Sequence, residues 1–368
     1  MKRLIFIFLF TFFLLVTGCT RYSKQTSIVK PDLISYRDSS GMKKPVNTLA
    51  EWKQKRGQIL ESMQQAMGQL PGRSGLPALD IQITDSLKED HYTRLTISFS
   101  VAENERVPAY LYVPLQKDKL EKLPAMLALH QTGAPGKQLV DGQDAYAKEL
   151  AQRGYVVIAP DYPGFGDLKN YDFENDRYQS GTMKGIFNHM RCVDLLQARE
   201  DVDAERIGVI GHSLGGHNAM FVGAFDTRLK VIISSCGWTL MDYYDIGEAS
   251  KQYGGRLGPW AQERYMPMLR NKYNLDADKI PFDFDEVIAA LAPRAFFSNS
   301  PLNDSNFEVS GVRKGIAAAS EVYRFLQAEN KLQIRYPNAG HDFPPEIRLE
   351  AYRFIDKILE HAPNSKGK

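Results

Sequence analysis

Residues 206–225 read R-I-G-V-I-G-H-S-L-G-G-H-N-A-M-F-V-G-A-F, and the fold follows from how this stretch is read. RIGVIG (206–211) is a short apolar run of the kind found in strands buried on both faces. Gly211-His212-Ser213-Leu214-Gly215 then supplies the spacing G-x-S-x-G, with a further glycine at 216 and a helical segment over 214–225. A serine between a buried strand and a helix stands at the apex of a strained turn, where bulky neighbours would collide. Gly211 and Gly215 give the room. The turn lifts the hydroxyl clear of the sheet and aims the helix N-terminus at the same point, where free N–H groups favour negative charge. Ser213 is therefore the candidate nucleophile, and Leu214 N–H a candidate oxyanion donor.

The flanking chain alternates strand and helix. Strands are predicted at 123–130, 155–160, 230–236, 293–299 and 331–337, and helices at 142–153, 182–199, 311–328 and 345–361. Apolar strands alternating with helices imply a mainly parallel sheet covered on both faces. Residues 92–101 and 106–113 are rich in β-branched and aromatic side chains and read as a hairpin leading into it. A helix is predicted over 48–69, as an N-terminal extension.

Residues 238–285 break the rhythm. They hold Trp238, Tyr243, Tyr244, Tyr253, Trp260, Tyr265 and Tyr273. An insertion of that length is often functional. It is expected to be a helical cap, with Trp260, Arg256 and Trp238 as substrate-binding candidates. Trp260 follows the turn signal Gly258-Pro259, and an indole face suits the apolar face of a sugar ring. Arg256 and Arg264 flank it and could hold a sugar hydroxyl or carboxylate.

A serine hydroxyl needs a base. With the strand-turn-helix serine first, the expected chain order is serine, acid, histidine. His341, in the loop N-A-G-H-D-F, is the candidate base. Asp304, in S-P-L-N-D-S-N-F, is the candidate acid, ahead of Glu308 and of Asp342, which adjoins the histidine too closely to orient it. A second oxyanion donor should come from the loop H-Q-T-G-A-P-G-K (130–137), from Gln131 or Thr132, with Gln131 preferred.

These segments, with LALHQTGAPGK, GYVVIAPDYPGFGD and VDAERIGVIGHSLGGHNA, resemble the α/β-hydrolase superfamily from about residue 92 to residue 361. The combination looks most like bacterial dienelactone-hydrolase-like and acetylxylan-esterase-like proteins. That resemblance implies an α/β-hydrolase fold and ester hydrolysis by a serine, a histidine and an aspartate, with no cofactor or metal. Dienelactone hydrolases proper use a cysteine nucleophile, which Ser213 departs from. The expected substrate is a small-molecule or carbohydrate ester carrying an acyl or methyl group. A peptidase or amidase on the same triad, and a silent binding lipoprotein, stay open as alternatives.

The N-terminus reads as an export signal over residues 1–18. Lys2 and Arg3 precede the apolar run LIFIFLFTFFLLV (4–16), which is short for a membrane span, since that needs about 20 residues. It ends in V-T-G-C, resembling a bacterial lipobox, so Cys19 is the expected lipidation site. Residues 19–75 are then expected as tether plus helical extension, and 76–368 as the hydrolase domain with its cap. The resemblance places the protein in the bacterial cell envelope, on the outer membrane facing the periplasm. Lys+Arg total 46 against 44 Asp+Glu, which gives no basic excess of the kind a nucleic-acid binder carries. Three cysteines and seven histidines are too scattered for a structural zinc module. Cys192 and Cys236 are expected as buried free thiols.

Overall fold

The computed structural model describes residues 32–115, 122–142 and 145–363. The signal segment and Cys19 lie outside them. The elements are β1 (Ser35–Arg37), β2 (Lys43–Pro45), α1 (Leu49–Met67), β3 (Gln82–Lys88), β4 (Tyr92–Ala102), β5 (Glu105–Pro114), β6 (Leu123–Leu129), α2 (Tyr146–Gln152), β7 (Val156–Pro160), α3 (Gly181–Gln197) and β8 (Val202–His212). There follow α4 (Leu214–Phe225), β9 (Leu229–Ser235), α5 (Met268–Asn271), α6 (Phe284–Leu291), β10 (Ala295–Asn299), α7 (Val309–Phe325), β11 (Leu332–Arg335) and α8 (Pro345–Ile358).

Nine strands form one sheet in the order β11-β10-β9-β8-β6-β7-β5-β4-β3. From β11 through β7 every pairing is parallel. From β7 to β3 every pairing is antiparallel. The period of two sends alternate strand residues to opposite faces. Leu127 and Leu129 of β6 join α1, α3, α4, α6 and α7 in one core. Met126 and Ala128 face the other, with α2 and α8. Chain order reverses around β8, so the crevice at the carboxyl ends of β6 and β8 is the expected ligand position for an open α/β sheet.

Two expectations need correcting. The stretch read as an irregular tether holds the β1–β2 hairpin, because Leu33 and Val46 flank it and are buried in the main core. The helix expected over 48–69 is present as α1, which buries Trp52, Ile59 and Met63. The Arg56 guanidinium donates to the carbonyls of Ala290 at 2.9 Å and Ala224 at 2.5 Å, near the C-terminal ends of α6 and α4. The insertion is a lid of short 3-10 turns at Met241–Tyr243, Gly247–Tyr253 and Gly258–Ala261, with the four-residue α5, rather than a helical cap. Its glycines and prolines do not sustain longer helices. The edge strand β3 is exposed along its length and was missed, although Ile81, Ile83 and Leu87 fall on one face of a period of two. Among the described residues no helix is long and apolar enough to cross a membrane.

Candidate active site

Ser213 has φ 53° and ψ −118°, a conformation that costs a non-glycine residue about 1–3 kcal/mol and persists only where the surroundings enforce it. They do so here. The Ser213 N–H donates to the Ser235 carbonyl at 2.8 Å, which ties the apex to β9. A Cβ on Gly211 would stand 2.1 Å from the Gly215 carbonyl oxygen, and one on Gly215 would stand 1.9 Å from that of Leu129. The tight turn therefore excludes any side chain at either position. Leu214 begins α4, so its N–H belongs to the first helical turn, whose amides have no acceptor within the helix.

The loops after β10 and β11 run side by side. Leu302 N–H donates to the Pro337 carbonyl at 2.9 Å, and Asn303 N–H to that of Ala339 at 3.0 Å. This pairing brings Asp304 to His341. The His341 Nδ1–H donates to Asp304 Oδ1 at 2.9 Å, with Oδ2 at 3.1 Å. On the far side of the ring, the Ser213 hydroxyl donates to Nε2 at 2.9 Å. Burial alone would raise the Asp304 carboxyl. The His341 imidazole and the N–H groups of Asn306 and Phe307 outweigh it and hold the group below the usual carboxylate range. The loop is pinned from below, where the Asp342 carbonyl accepts from Cys236 Sγ at 3.1 Å and from Asn299 Nδ2 at 2.9 Å. Glu308 faces away, its carboxylate taking the Ser310 hydroxyl.

Ser213 opens into a pocket of about 170 Å³ lined by Thr132, Leu214, His217, Tyr244, Tyr253, Trp260, Gln262, Arg264, Tyr265, Asn306 and Phe307, among others. Trp260 is in this wall, but most of its indole is buried against His217, Tyr244 and Phe284. Gln131 is buried at the end of β6, and its carbonyl accepts from His130 Nδ1 at 2.7 Å, which holds the peptide that follows.

The other two insertion candidates are not brought to the pocket. Trp238 is 1% exposed and donates its indole N–H to Ser298 Oγ at 3.0 Å. It fills the core under α7, where its ring rules out a side chain on Gly315. Arg256 turns inward and donates to the carbonyls of Met241 and Tyr244, at the first lid turn. His217, on the helix just after the elbow, is buried and lines the pocket. Burial lowers it to about 3, against the pull of the Gly237 carbonyl, so it is neutral. Sequence reasoning missed Phe307 and Asn306, although both follow Asp304 in the loop already singled out. It also missed Cys236 and Asn299 as supports for the histidine loop, a role with no local signal.

Cys192 and Cys236 are both free and buried. Among the described residues, Cys236, Asp304 and His341 bring three ligand-type atoms within 4.8 Å of one another. A metal there would have to displace the hydrogen bonds that join acid to base.

Comparison with known proteins agrees with this geometry. A family model described as glucuronyl esterase, fungi, matches residues 169–327, from before the elbow through α7. The YtaP protein of Bacillus subtilis (strain 168) is 28% identical over 309 residues, 80% of this chain and 96% of that one. The 4-O-methyl-glucuronoyl methylesterase of Hypocrea jecorina (strain QM6a) is 29% identical over 215 residues, 53% of this chain and 44% of that one. A glucuronoyl esterase from Solibacter usitatus superposes with a TM-score of 0.68 at 20% identity, covering 89% of this chain and 97% of the other. The sheet order, the strained serine elbow and the relayed hydrogen bonds give this chain an α/β-hydrolase fold that carries the Ser213, His341 and Asp304 arrangement of a serine hydrolase.

Proposed function

We propose that the protein is a serine esterase that removes an acyl or methyl ester from a carbohydrate, and that Cys19, outside the described residues, tethers it by lipid to the cell envelope. The observation that carries the esterase reading is the continuous hydrogen-bonded path from Ser213 Oγ through His341 to Asp304, opening into the pocket. His341 Nε2 takes the hydroxyl proton as Ser213 attacks the ester carbonyl. Asp304 holds the ring in the tautomer that leaves Nε2 free and stabilises the imidazolium that results. The oxyanion rests on the N–H groups of Leu214 and Gln131, each such donor being worth about 3 kcal/mol in the transition state. The alcohol departs with the proton from His341, and water then cleaves the acyl-enzyme by the same steps.

The carbohydrate part draws support from the glucuronyl-esterase family match over residues 169–327 and from the pocket wall. Trp260, Tyr244 and Phe307 offer aromatic surface, while Thr132, Gln262 and Asn306 offer hydrogen-bonding groups. That mixture suits a ring with an apolar face and a polar edge.

A panel of 4-nitrophenyl acetate, acetylated xylan, methyl glucuronate and an aminoacyl amide tests the reading, with Ser213→Ala as control. Turnover of at least one sugar ester, falling by several orders of magnitude in Ser213→Ala, is expected. Amide turnover exceeding that of every ester would instead favour a peptidase. Wild-type turnover equal to that of Ser213→Ala would leave only a binding role.

A further inference from the structure

Among the described residues that line the pocket, one carries a formal charge. Of its lining residues none is Asp, Glu or Lys, and His217 is neutral, so Arg264 is the one ion in the wall. Its position is tightly determined. The segment 263–265 is clamped to the start of α3: Gly181 N–H donates to the Glu263 carbonyl at 2.9 Å, and Thr182 N–H to that of Tyr265 at 3.1 Å. A Cβ on Gly181 would stand 2.4 Å from the Arg264 carbonyl oxygen, so this docking depends on glycine there. The guanidinium lies 5.1 Å from the Phe165 ring centroid and 5.2 Å from that of Tyr265, a stacked setting that suits arginine and not lysine. Nη2 donates to Gln262 Oε1 at 2.9 Å.

Among the described residues, no carboxylate forms an ion pair with Arg264, and its Nε is buried with no hydrogen-bond partner. Among the described residues, Arg94, Arg153 and Arg191 also have a buried Nε with no partner, but their guanidinium groups serve carboxylates. Arg191 reaches Asp194, Arg153 reaches Asp356, and Arg294 caps the carbonyls of Gly223, Asp226 and Leu229. A preorganised fork without such a partner, in a wall of low polarity, favours an anion that arrives with the ligand.

We infer that Arg264 selects substrates that carry a free carboxylate beside the scissile ester, so that the preferred carbohydrate is an acidic one bearing a separate ester. This rests on the carbohydrate-esterase reading above and narrows it. Arg264 is a binding residue in this scheme. The carboxylate it holds is distinct from the carbonyl that Ser213 attacks, and remains ionised throughout.

The test compares mono-O-acetyl glucuronic acid with mono-O-acetyl glucose, matched in acetyl position, in the wild type, Arg264→Gln and Arg264→Lys. A charge-assisted bond of this kind corresponds to a preference of about 10- to 100-fold in kcat/KM for the acidic sugar. In Arg264→Gln the ratio should fall towards one, chiefly through KM. Arg264→Lys, which keeps the charge and loses the fork, should lie between. A wild-type ratio near one overturns the inference. So does a ratio that survives in Arg264→Gln, or a loss shared equally by both sugars, which is what a purely structural role in docking the lid would produce. If neither acetylated sugar is hydrolysed while 4-nitrophenyl acetate is, the carbohydrate reading fails. Inhibition of that hydrolysis by glucuronate against glucose then decides the role of Arg264 separately. Glucuronate inhibiting the wild type more strongly, but not Arg264→Gln, supports it, and equal inhibition overturns it.

Discussion

Asp304 contributes to the site through where its hydrogen bonds go. Both oxygens face His341 Nδ1, and Oδ1 also accepts the N–H groups of Asn306 and Phe307. The side chain is 1% exposed, so water does not compete for it. Replacing Asp304 by Asn would leave the shape but put an NH₂ against Nδ1 and stabilise the tautomer with its proton on Nε2, which cannot accept from Ser213. We expect Asp304→Asn to lower kcat by about 10⁴-fold, while Glu308→Gln changes it less than about threefold because Glu308 does not reach the histidine. Steady-state kinetics on 4-nitrophenyl acetate checks the pair, and the reverse ranking would identify Glu308 as the acid. The serine turn motif, the loops that follow the later strands and chain order together made Ser213, Asp304 and His341 candidates. They could not separate Trp260, whose indole is in the pocket wall, from Trp238, whose indole is in the core. Both are tryptophans in one insertion, and only three-dimensional neighbours distinguish them.

At the level of elements, the N-terminal region divides into parts with different physics. Residues 20–31 lie outside the described residues, whereas α1 has a capping box of Thr48 and Glu51 at its start and a buried face on the main core. Arg56 supplies donors to two helix ends that would otherwise present unpaired carbonyls. Removing it leaves those acceptors buried, at a cost of roughly 1–3 kcal/mol each. Cys19→Ser is expected to move the enzyme from the membrane fraction to the soluble one with kcat and melting temperature unchanged. Arg56→Ala should lower the melting temperature by several degrees without relocating the protein. Fractionation with mass spectrometry for a lipid adduct, followed by thermal melts, checks both. A wild-type protein lacking the adduct would end the lipoprotein reading.

Over the whole molecule, the buried histidines make folding sensitive to acid. His130, His189, His212 and His217 are each pushed down to about 3, in every case chiefly by burial. The unfolded chain binds protons on these rings from about pH 6.5 downward, while the folded chain does not until near pH 3. Stability is therefore fully present above pH 6.5 and is lost as pH falls from there. Each ring contributes about 1.4 kcal/mol per pH unit at most. Asp161 and Glu286, raised by burial, act in the opposite sense from the ordinary carboxylate range near pH 4 upward, so they offset part of this loss, but two carboxyls stand against four rings. The melting temperature should thus fall steeply between pH 6.5 and 5. His189, whose ring nitrogens have no hydrogen-bond partner, is the ring to vary. His189→Gln should give a shallower fall in calorimetry across that range, and an unchanged slope would show that this ring does not carry the effect.

The sequence by itself determined the parallel α/β architecture, the serine at its strained turn and the order of serine, acid and base. These are written in local terms: buried apolar runs, glycines where a Cβ cannot fit, and loops that follow identifiable strands. The tertiary structure alone decided which insertion residues reach the pocket. Arg256 and Arg264 flank the same tryptophan in sequence, yet one guanidinium is used up on the carbonyls of Met241 and Tyr244 and the other is held in the pocket wall between Phe165 and Tyr265. The difference arises because the lid is made of short turns with no sustained period. Each side chain's direction is then set by contacts with α3, α6 and the loop after β10, which are distant in the chain and leave no pattern in the residues between them.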